Sequence, residues 1–306
     1  MANEFIHTLT TDLVNKKKIT ESSANVYIRI LFNLNNREPI KNLSFLLKKD
    51  TIMSKVNEYA ETTQKTIFAA LVSVLSLFQD KPVYKGLHRF YQEKMIEKMK
   101  TVRDETTGEK TEKQKNNWIE WKDVKELCDK MYDETKEFSN KKTLTPKESD
   151  LLLHTVVLAL YTFIPPRRNQ DYLNMVLVKK WNSSMPTEYN YLDMSDEKFI
   201  FNKYKTAKKY GIQTLDIPDD LMDILVAYLR HHSKTGPFLV QNDKPLTAGN
   251  AITRILNKIF GKKVGSSMLR HIFLTDKYGD LKEEQQTLAS AMGHSVHEQQ
   301  NVYVKT

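Results

Sequence analysis

The chain has 306 residues, 40% hydrophobic and 28% charged, with 47 Lys and Arg against 38 Asp and Glu for a formal net charge of +9. That much apolar material supports about two cored domains and excludes a disordered or fibrous chain, while the excess of positive charge favours a polyanionic partner. A single cysteine, Cys128, excludes an internal disulfide and a Cys-rich zinc site, and nine glycines without a G-x-G-x-x-G or P-loop pattern argue against a glycine-rich nucleotide fold.

The opening Met1-Ala2-Asn3-Glu4-Phe5 carries no secretory pattern. The longest apolar run, Leu151 to Pro166, is too short and interrupted to span a bilayer, so a soluble intracellular protein with no membrane partner is expected. Residues 1–100 hold 16 Lys/Arg and 10 Asp/Glu, a net of +6. Apolar residues recur there at helical spacing: Ile28, Leu31 and Leu34 after the capping candidates Thr20, Ser22 and Ser23, then Leu43 to Leu47, then Ile52 to Tyr59. A further stripe, Ile67, Leu71, Val74, Leu75 and Phe78, ends before Pro82, and Tyr84 to Met99 continues as a polar-rich helix. The pattern predicts a small helical bundle over 1–99. Residues 100–117 contain one apolar residue, Val102, and read as a linker.

Structured chain is predicted from Trp118 onward, with helices at about 121–138 and 146–163, the second apolar on nearly every side. Val176 to Val178 and Tyr189 to Leu192 are candidate strands. Residues 198–204 and 212–217 alternate around a Lys/Gly-rich turn and read as a β-hairpin. Four helices follow, at about 220–232, 248–260, 267–278 and 281–292.

Several polar residues stand out along this second region. Arg167 and Arg168 follow Pro165-Pro166 at the end of the apolar helix, Lys205 and Thr206 sit on the hairpin turn, and Met268-Leu269-Arg270-His271 opens a helix. Gly293-His294-Ser295 closes the last helix, and Tyr303 lies nine residues beyond His294. Taken singly, each has a plain reading. The arginine pair suits a solvated loop, Arg270 a structural ion pair, and Gly293 a left-handed helix terminus.

In this order and spacing they resemble the tyrosine recombinases, the phage-integrase type of site-specific recombinase. Arg168 precedes the acid Asp171 by three, a spacing that favours it over Arg167. Lys205 falls on the hairpin, Arg270 ends a His-x-x-Arg box, Gly293-His294 follows, and Tyr303 stands nine residues after that histidine. The resemblance covers about residues 118–306. One position departs from it: Ser267 stands where the family has the histidine that assists proton transfer, leaving His271, His297 or water for that role.

The resemblance implies a mainly α fold with a small antiparallel β-sheet: a core-binding domain over 1–99, a linker over 100–117 and a catalytic domain over 118–306, forming a C-shaped clamp on DNA. It implies Arg168, Lys205, Arg270, His294 and Tyr303 as catalytic residues and Arg167, Lys203 and Lys209 as DNA contacts, with no metal, cofactor or ATP. Tyr303 would attack a phosphodiester to give a 3′-phosphotyrosyl bond, Lys205 would protonate the leaving 5′-oxygen, and His294 would hydrogen-bond the phosphate. Two guanidiniums suit the charge that develops on the phosphoryl oxygens.

Implied partners are double-stranded DNA and further protomers of the same chain. Only Val304-Lys305-Thr306 follow Tyr303, leaving no further helix to dock on a neighbour, so a monomer when free and a tetramer on paired sites are expected. The richness in Lys, Asn and Ile, with the Pro-Pro-Arg-Arg variant of the first box, is similar to integrases of large eukaryotic DNA viruses, virophages and related mobile elements. Such a source implies integration or excision of that genome in the host nucleus or a viral factory, and any other source the cytoplasm. A type IB topoisomerase and a non-catalytic DNA-binding descendant of a recombinase are the alternatives.

Overall fold

The computed structural model describes residues 4–104, 109–138 and 140–303. The chain divides into two compact units, Met1–Glu109 and Lys110–Thr306, each with its own hydrophobic cluster. It is mainly helical, and among the described residues no helix is long and apolar enough to cross a membrane.

The first unit consists of α1 (Glu4–Lys17), α2 (Glu21–Leu34), a 3-10 turn at Ser44–Leu47, α3 (Lys49–Asn57), α4 (Glu61–Leu75) and α5 (Pro82–Asp104). The Thr20 hydroxyl accepts from Ser23 N and starts α2, as the capping pattern predicts. Helix α4 is the centre of the unit: Ile67, Phe68, Ala70, Leu71, Val74 and Leu75 are all buried. Tyr91 of α5 is buried beside it and donates its hydroxyl to Leu46 O at 3.1 Å, so a large ring enters the core without stranding a polar group.

The segment expected to be a linker is partly ordered. Residues 100–104 belong to α5, 105–108 lie outside the described residues, and Glu112–Asn117 forms α6, opened by a capping box between Thr111 and Gln114. Asn117 Oδ1 accepts from Lys263 N, and the Lys110 ammonium lies 3.9 Å from the Trp118 ring centroid. Capping and edge contacts of this kind order a polar stretch that has no apolar face to bury.

The second unit is organised around α8 (Pro146–Thr162). A Thr145–Glu148 capping box and Pro146 in the first turn start this helix, and every residue from Leu152 to Tyr161 is buried. A helix apolar all round must be enclosed on all sides. It is covered by α7 (Trp121–Lys136), α11 (Asp219–Leu229) and α12 (Ala251–Phe260). Cys128 of α7 faces this core, and burial pushes its thiol up to about 12.

After the short α9 (Asn169–Tyr172) come β1 (Val176–Val178), β2 (Tyr191–Asp193), β3 (Lys198–Phe201), the one-turn α10 (Ala207–Tyr210) and β4 (Gln213–Asp216). With β5 (Gly236–Pro237) they form a sheet of order β4-β3-β2-β1-β5. The β3–β4 hairpin is as expected, with Phe199 opposite Leu215. The sheet is mixed, however, and not purely antiparallel: β1 and β2 run parallel, Leu177 opposite Leu192, joined by residues 179–190. A two-stranded ribbon, β6 (Val240–Gln241) with β7 (Lys244–Pro245), precedes α12.

The C-terminal helices also differ from expectation. One helix, α13 (Ser266–Ala291), replaces the two predicted at 267–278 and 281–292 and runs through Gly279. Its first turns are anchored by buried Leu269 and Ile272 and by Phe273 set edge-on to Trp121 at 5.2 Å. Gly293, at φ +76°, ends the helix in a Schellman turn in which His294 N donates to Ala289 O at 3.0 Å. A short turn, α14 (Val296–Glu298), and one turn of π-helix over Gln299–Tyr303 complete the described chain.

The Cys128 thiol should be inert in the folded protein, because a thiolate must form in an apolar site to react. A maleimide or disulfide reagent at pH 8 should label less than about a tenth of the protein in the time a free thiol reacts fully, and one thiol per chain after unfolding in urea. Rapid native labelling would contradict this packing of α7 on α8.

Candidate phosphate-binding cleft

At the end of α8 the chain turns through Pro165-Pro166 and places two adjacent arginines in different environments. Arg167 is turned inward. Its Nε donates to Asp171 Oδ2 at 3.0 Å, and both Nη1 and Nη2 donate to Gln213 Oε1 at 3.1 Å. The guanidinium carbon lies 3.7 Å from the Phe201 ring centroid, so the planar group stacks as well as bonds. Asp171 is almost enclosed, with 3% of its side chain exposed, and burial raises its carboxyl above the ordinary range despite the adjacent Arg167.

The spacing of three that favours Arg168 as the first arginine of the motif is not the spacing of the ion pair, which Arg167 makes with Asp171 at four. Arg168 is the extended residue capping α9; its backbone oxygen accepts from Asp171 N at 2.9 Å, and its charge favours the Asp171 carboxylate without a direct side-chain bond. One residue earlier, Arg167 sits at the i,i+4 position from which its side chain reaches the carboxylate. Arg168 is half-buried, and its side chain makes no hydrogen bond or ion pair among the described residues.

Buried amides hold this turn in place. Asn190 Nδ2 donates to Asp171 O at 2.8 Å and Lys203 O at 3.0 Å, while its Oδ1 accepts from Lys203 N at 2.8 Å. One side chain thus joins α9, the start of β2 and the turn after β3. Asn169 accepts from the Tyr161 hydroxyl and donates to Thr253 Oγ1, linking α9 to α8 and α12.

A cleft of about 340 Å³ opens against this frame. Arg168, Arg270, Thr206, Tyr204 and Tyr210 line it, and the engaged Arg167 forms part of its wall. Arg270, on the second turn of α13, is half-buried and, like Arg168, has no hydrogen bond or ion pair among the described residues. The lining sets the three guanidiniums of Arg167, Arg168 and Arg270 against one carboxylate, that of Asp171, and this positive excess in a partly desolvated cleft favours an anion. The forked donors of Arg168 and Arg270 match a phosphate or carboxylate.

The remaining predicted residues fall outside that cleft. Lys203, Lys205 and Lys209 are exposed on or beside the β3–β4 turn, near the lining residues Tyr204 and Thr206 but not among them. Lys209 lies 5.0 Å from the ring centroid of Tyr210, which does line it. Ser267 is exposed and Ser266 buried, and neither lines the cleft.

His294 and Tyr303 form a separate pair. Their rings stack at 5.0 Å with a 27° interplanar angle, His294 Nε2 is buried with no partner among the described residues, and Tyr303 is 57% exposed. They sit past the C-terminal end of α13, whereas Arg270 sits near its start. At 1.5 Å per residue, Arg270 and Ala291 are about 30 Å apart along the helix, farther than the two side chains can bridge. The structure therefore unites Arg168 with Arg270, and His294 with Tyr303, but not the two halves.

Tyr204, Tyr210 and Gln213 were not singled out by sequence. Their only signal is position on the turn and strand that flank Lys205. Among the described residues no group of three or more His, Cys, Asp or Glu stands close enough to hold a metal ion. Comparison with protein-family models, curated proteins and solved structures gave no match to this chain.

Removing Arg167 strands a buried carboxylate, so Arg167→Ala should lose about 3 kcal/mol of unfolding free energy at pH 7. Because the Asp171 carboxyl is raised in the fold, its contribution is most favourable below the unfolded value of about 4 and declines as pH rises through the folded value. Without Arg167 that decline steepens. Urea titrations should therefore show a smaller deficit for the variant at pH 4 than at pH 7, and an equal deficit would assign the loss to stacking on Phe201 alone.

Proposed function

We propose that the chain cuts and rejoins DNA strands in the manner of a tyrosine recombinase, through a covalent 3′-phosphotyrosyl intermediate. The observation that carries this reading is the cleft that brings together the guanidiniums of Arg168 and Arg270, neither of which makes a side-chain hydrogen bond or ion pair among the described residues. A phosphodiester is an anion of the right shape for two arginine forks. The extra charge that develops on its oxygens during displacement strengthens those bonds in the transition state.

In this reading the Tyr303 oxygen attacks phosphorus and forms the new P–O bond as its proton passes to water, while the bond to the 5′-oxygen breaks and that oxygen takes a proton from Lys205. His294 donates to a non-bridging oxygen. The reverse attack by a 5′-hydroxyl rejoins a strand, the bond energy being kept in the phosphotyrosyl link. Exposed Lys203 and Lys209 contact flanking phosphates, which positions the duplex without reading its sequence. Integration or excision of a viral or other mobile genome is the outcome this chemistry serves best.

A second reading rests on the separation along α13. With His294 and Tyr303 past the far end of α13, whose last residue is about 30 Å along the helix from Arg270, a single chain as folded is a DNA-phosphate-binding protein that performs no strand transfer. One experiment divides the two. A nicked duplex that loses its short 3′ fragment on cleavage should trap a covalent complex stable to denaturant, mapping by mass spectrometry to Tyr303. Tyr303→Phe should abolish it, and Arg168→Ala or Arg270→Ala should slow it by about 100-fold or more. Binding of the duplex with no covalent product, or a product that survives Tyr303→Phe, would favour the second reading.

A further inference from the structure

Asp171 is the one acid among the described residues that line the cleft, and the strand-transfer chemistry makes no use of it. Its Oδ2 accepts from Arg167 Nε, while its Oδ1 is buried with no hydrogen-bond partner among the described residues. A carboxylate in the wall of an anion site repels any anion that enters, and the repulsion is strong where water is partly excluded. The cleft therefore binds an anion best when that negative charge is removed.

Two cations act on Asp171. Arg167 bonds it directly, and Arg168 favours its ionised form without a side-chain bond. Tyr161 of α8 and Tyr172 of α9 are buried near it; burial pushes both hydroxyls well above the ordinary tyrosine value, so neither carries charge near neutral pH. From the β3–β4 hairpin, Tyr204, Tyr210 and Gln213 line the cleft, and α13 adds the charge of Arg270. Of the two cations beside Asp171, Arg167 is committed, since it also donates to Gln213 Oε1 and stacks on Phe201. Arg168 is the one that can turn to a ligand.

Arg168 is thus shared between the buried acid and the cleft. An anion on its guanidinium neutralises one of the two cations that keep Asp171 ionised, and it brings a negative charge of its own. Both effects favour a proton on the carboxyl. We propose that Asp171 takes up a proton when an anion enters the cleft, so that binding to Arg168 and Arg270 strengthens as the pH falls. The proton comes from solvent and returns to it when the anion leaves, and no other bond changes. The neutral carboxyl stays in place, because its Oδ2 still accepts from Arg167 and Gln213 and Phe201 still hold that guanidinium.

Asp171 is in this role a positioning residue, acting on the ligand through Arg168. The coupling is reciprocal: the factor by which the anion favours the proton is the factor by which the proton favours the anion. Burial already raises the Asp171 carboxyl above the ordinary value of about 4, so the exchange falls between that value and neutrality. Above that window the carboxylate is charged and anion binding is weakest. The consequence for DNA rests on the proposed function: with a phosphodiester as the anion, contact with the backbone is itself proton-linked.

Calorimetric titration of the full chain with sulfate, whose charge is constant over this range, tests the coupling. Runs in two buffers of different ionisation heat count the protons taken up. From about pH 7.5 to about pH 5 the affinity should rise about threefold or more, with net uptake of part of a proton per sulfate bound. Asp171→Asn, nearly the same shape but uncharged, should bind sulfate more tightly than the parent at the higher pH, lose most of the pH dependence and take up no proton. His271→Gln, which removes the histidine next to Arg270, should keep the parent's dependence. Should Asp171→Asn fold poorly, carbon-13-labelled aspartate in the parent chain gives a second readout: one carboxyl should titrate at higher pH with sulfate than without. Affinity unchanged by pH, uptake that persists in Asp171→Asn or disappears in His271→Gln, or aspartate resonances unmoved by sulfate would overturn the proposal. Sulfate that binds without proton uptake leaves strand transfer untouched, and loss of covalent trapping leaves the proton linkage untouched. Absence of sulfate binding at any pH overturns the linkage and the phosphate-receiving cleft together.

Discussion

The cleft depends on one buried ion pair. Asp171 is carried into the interior by α9, near the buried Tyr161 and Tyr172, and a carboxylate there is tolerated only with a cation against it. Arg167 meets that need and is itself satisfied by Gln213 of β4 and the face of Phe201 of β3. A single guanidinium thus ties the end of α8 to the sheet. Because its neighbour holds the Asp171 carboxylate directly, Arg168 reaches the cleft with no hydrogen bond or ion pair of its side chain among the described residues, its charge only partly offset by Asp171. The same residue pair, Arg167-Arg168, supplies first a structural cation and then a binding one.

Rigidity around this pair comes from groups whose hydrogen bonds are all local to it. The three bonds of Asn190 hold the backbone of α9 against the turn that carries Lys203, Tyr204 and Thr206, and Asn169 holds α9 against α8 and α12. A buried polar network of this sort, closed except at Asp171 Oδ1, restricts the shape of the cleft, as binding a developing charge requires. The lysines are placed differently, on an exposed turn where side chains keep their rotamer freedom. That suits proton delivery or contact with a long polyanion better than fixed recognition.

Much of the fold was legible in residue pattern. Helix α8 announces itself by its nearly unbroken apolar run, and the β3–β4 hairpin by alternation around a glycine-bearing turn, because in both the local signal and the buried face agree. The break expected at Tyr278-Gly279-Asp280 did not occur. Glycine weakens a helix by about 1 kcal/mol but does not end one, and residues on both sides of Gly279 are good helix formers. Order in residues 112–117 was missed because it comes from a cap and from edge contacts to Lys263, neither of which leaves a periodic trace. The parallel β1–β2 pair was missed because parallel and antiparallel partners present the same short apolar strand.

The site was legible in kind but not in assignment. Arg168 and Arg270 share a cleft, while the ion pair to Asp171 is made by Arg167, because a side chain at i,i+4 reaches the carboxylate directly. His294 and Tyr303 were paired by spacing and do stack. What spacing cannot express is the length of a continuous helix, and that length separates the two pairs.

The central claim is that Arg168 and Arg270 together receive a DNA phosphate, and the salt dependence of binding tests it most directly. Fluorescence anisotropy of a labelled duplex should give a log–log slope of affinity against salt set by the number of phosphates neutralised. The Arg168→Ala, Arg270→Ala double variant, still folded by circular dichroism, should lower that slope by about 1 and weaken binding across unrelated sequences. A slope and affinity identical to the parent chain would contradict the account.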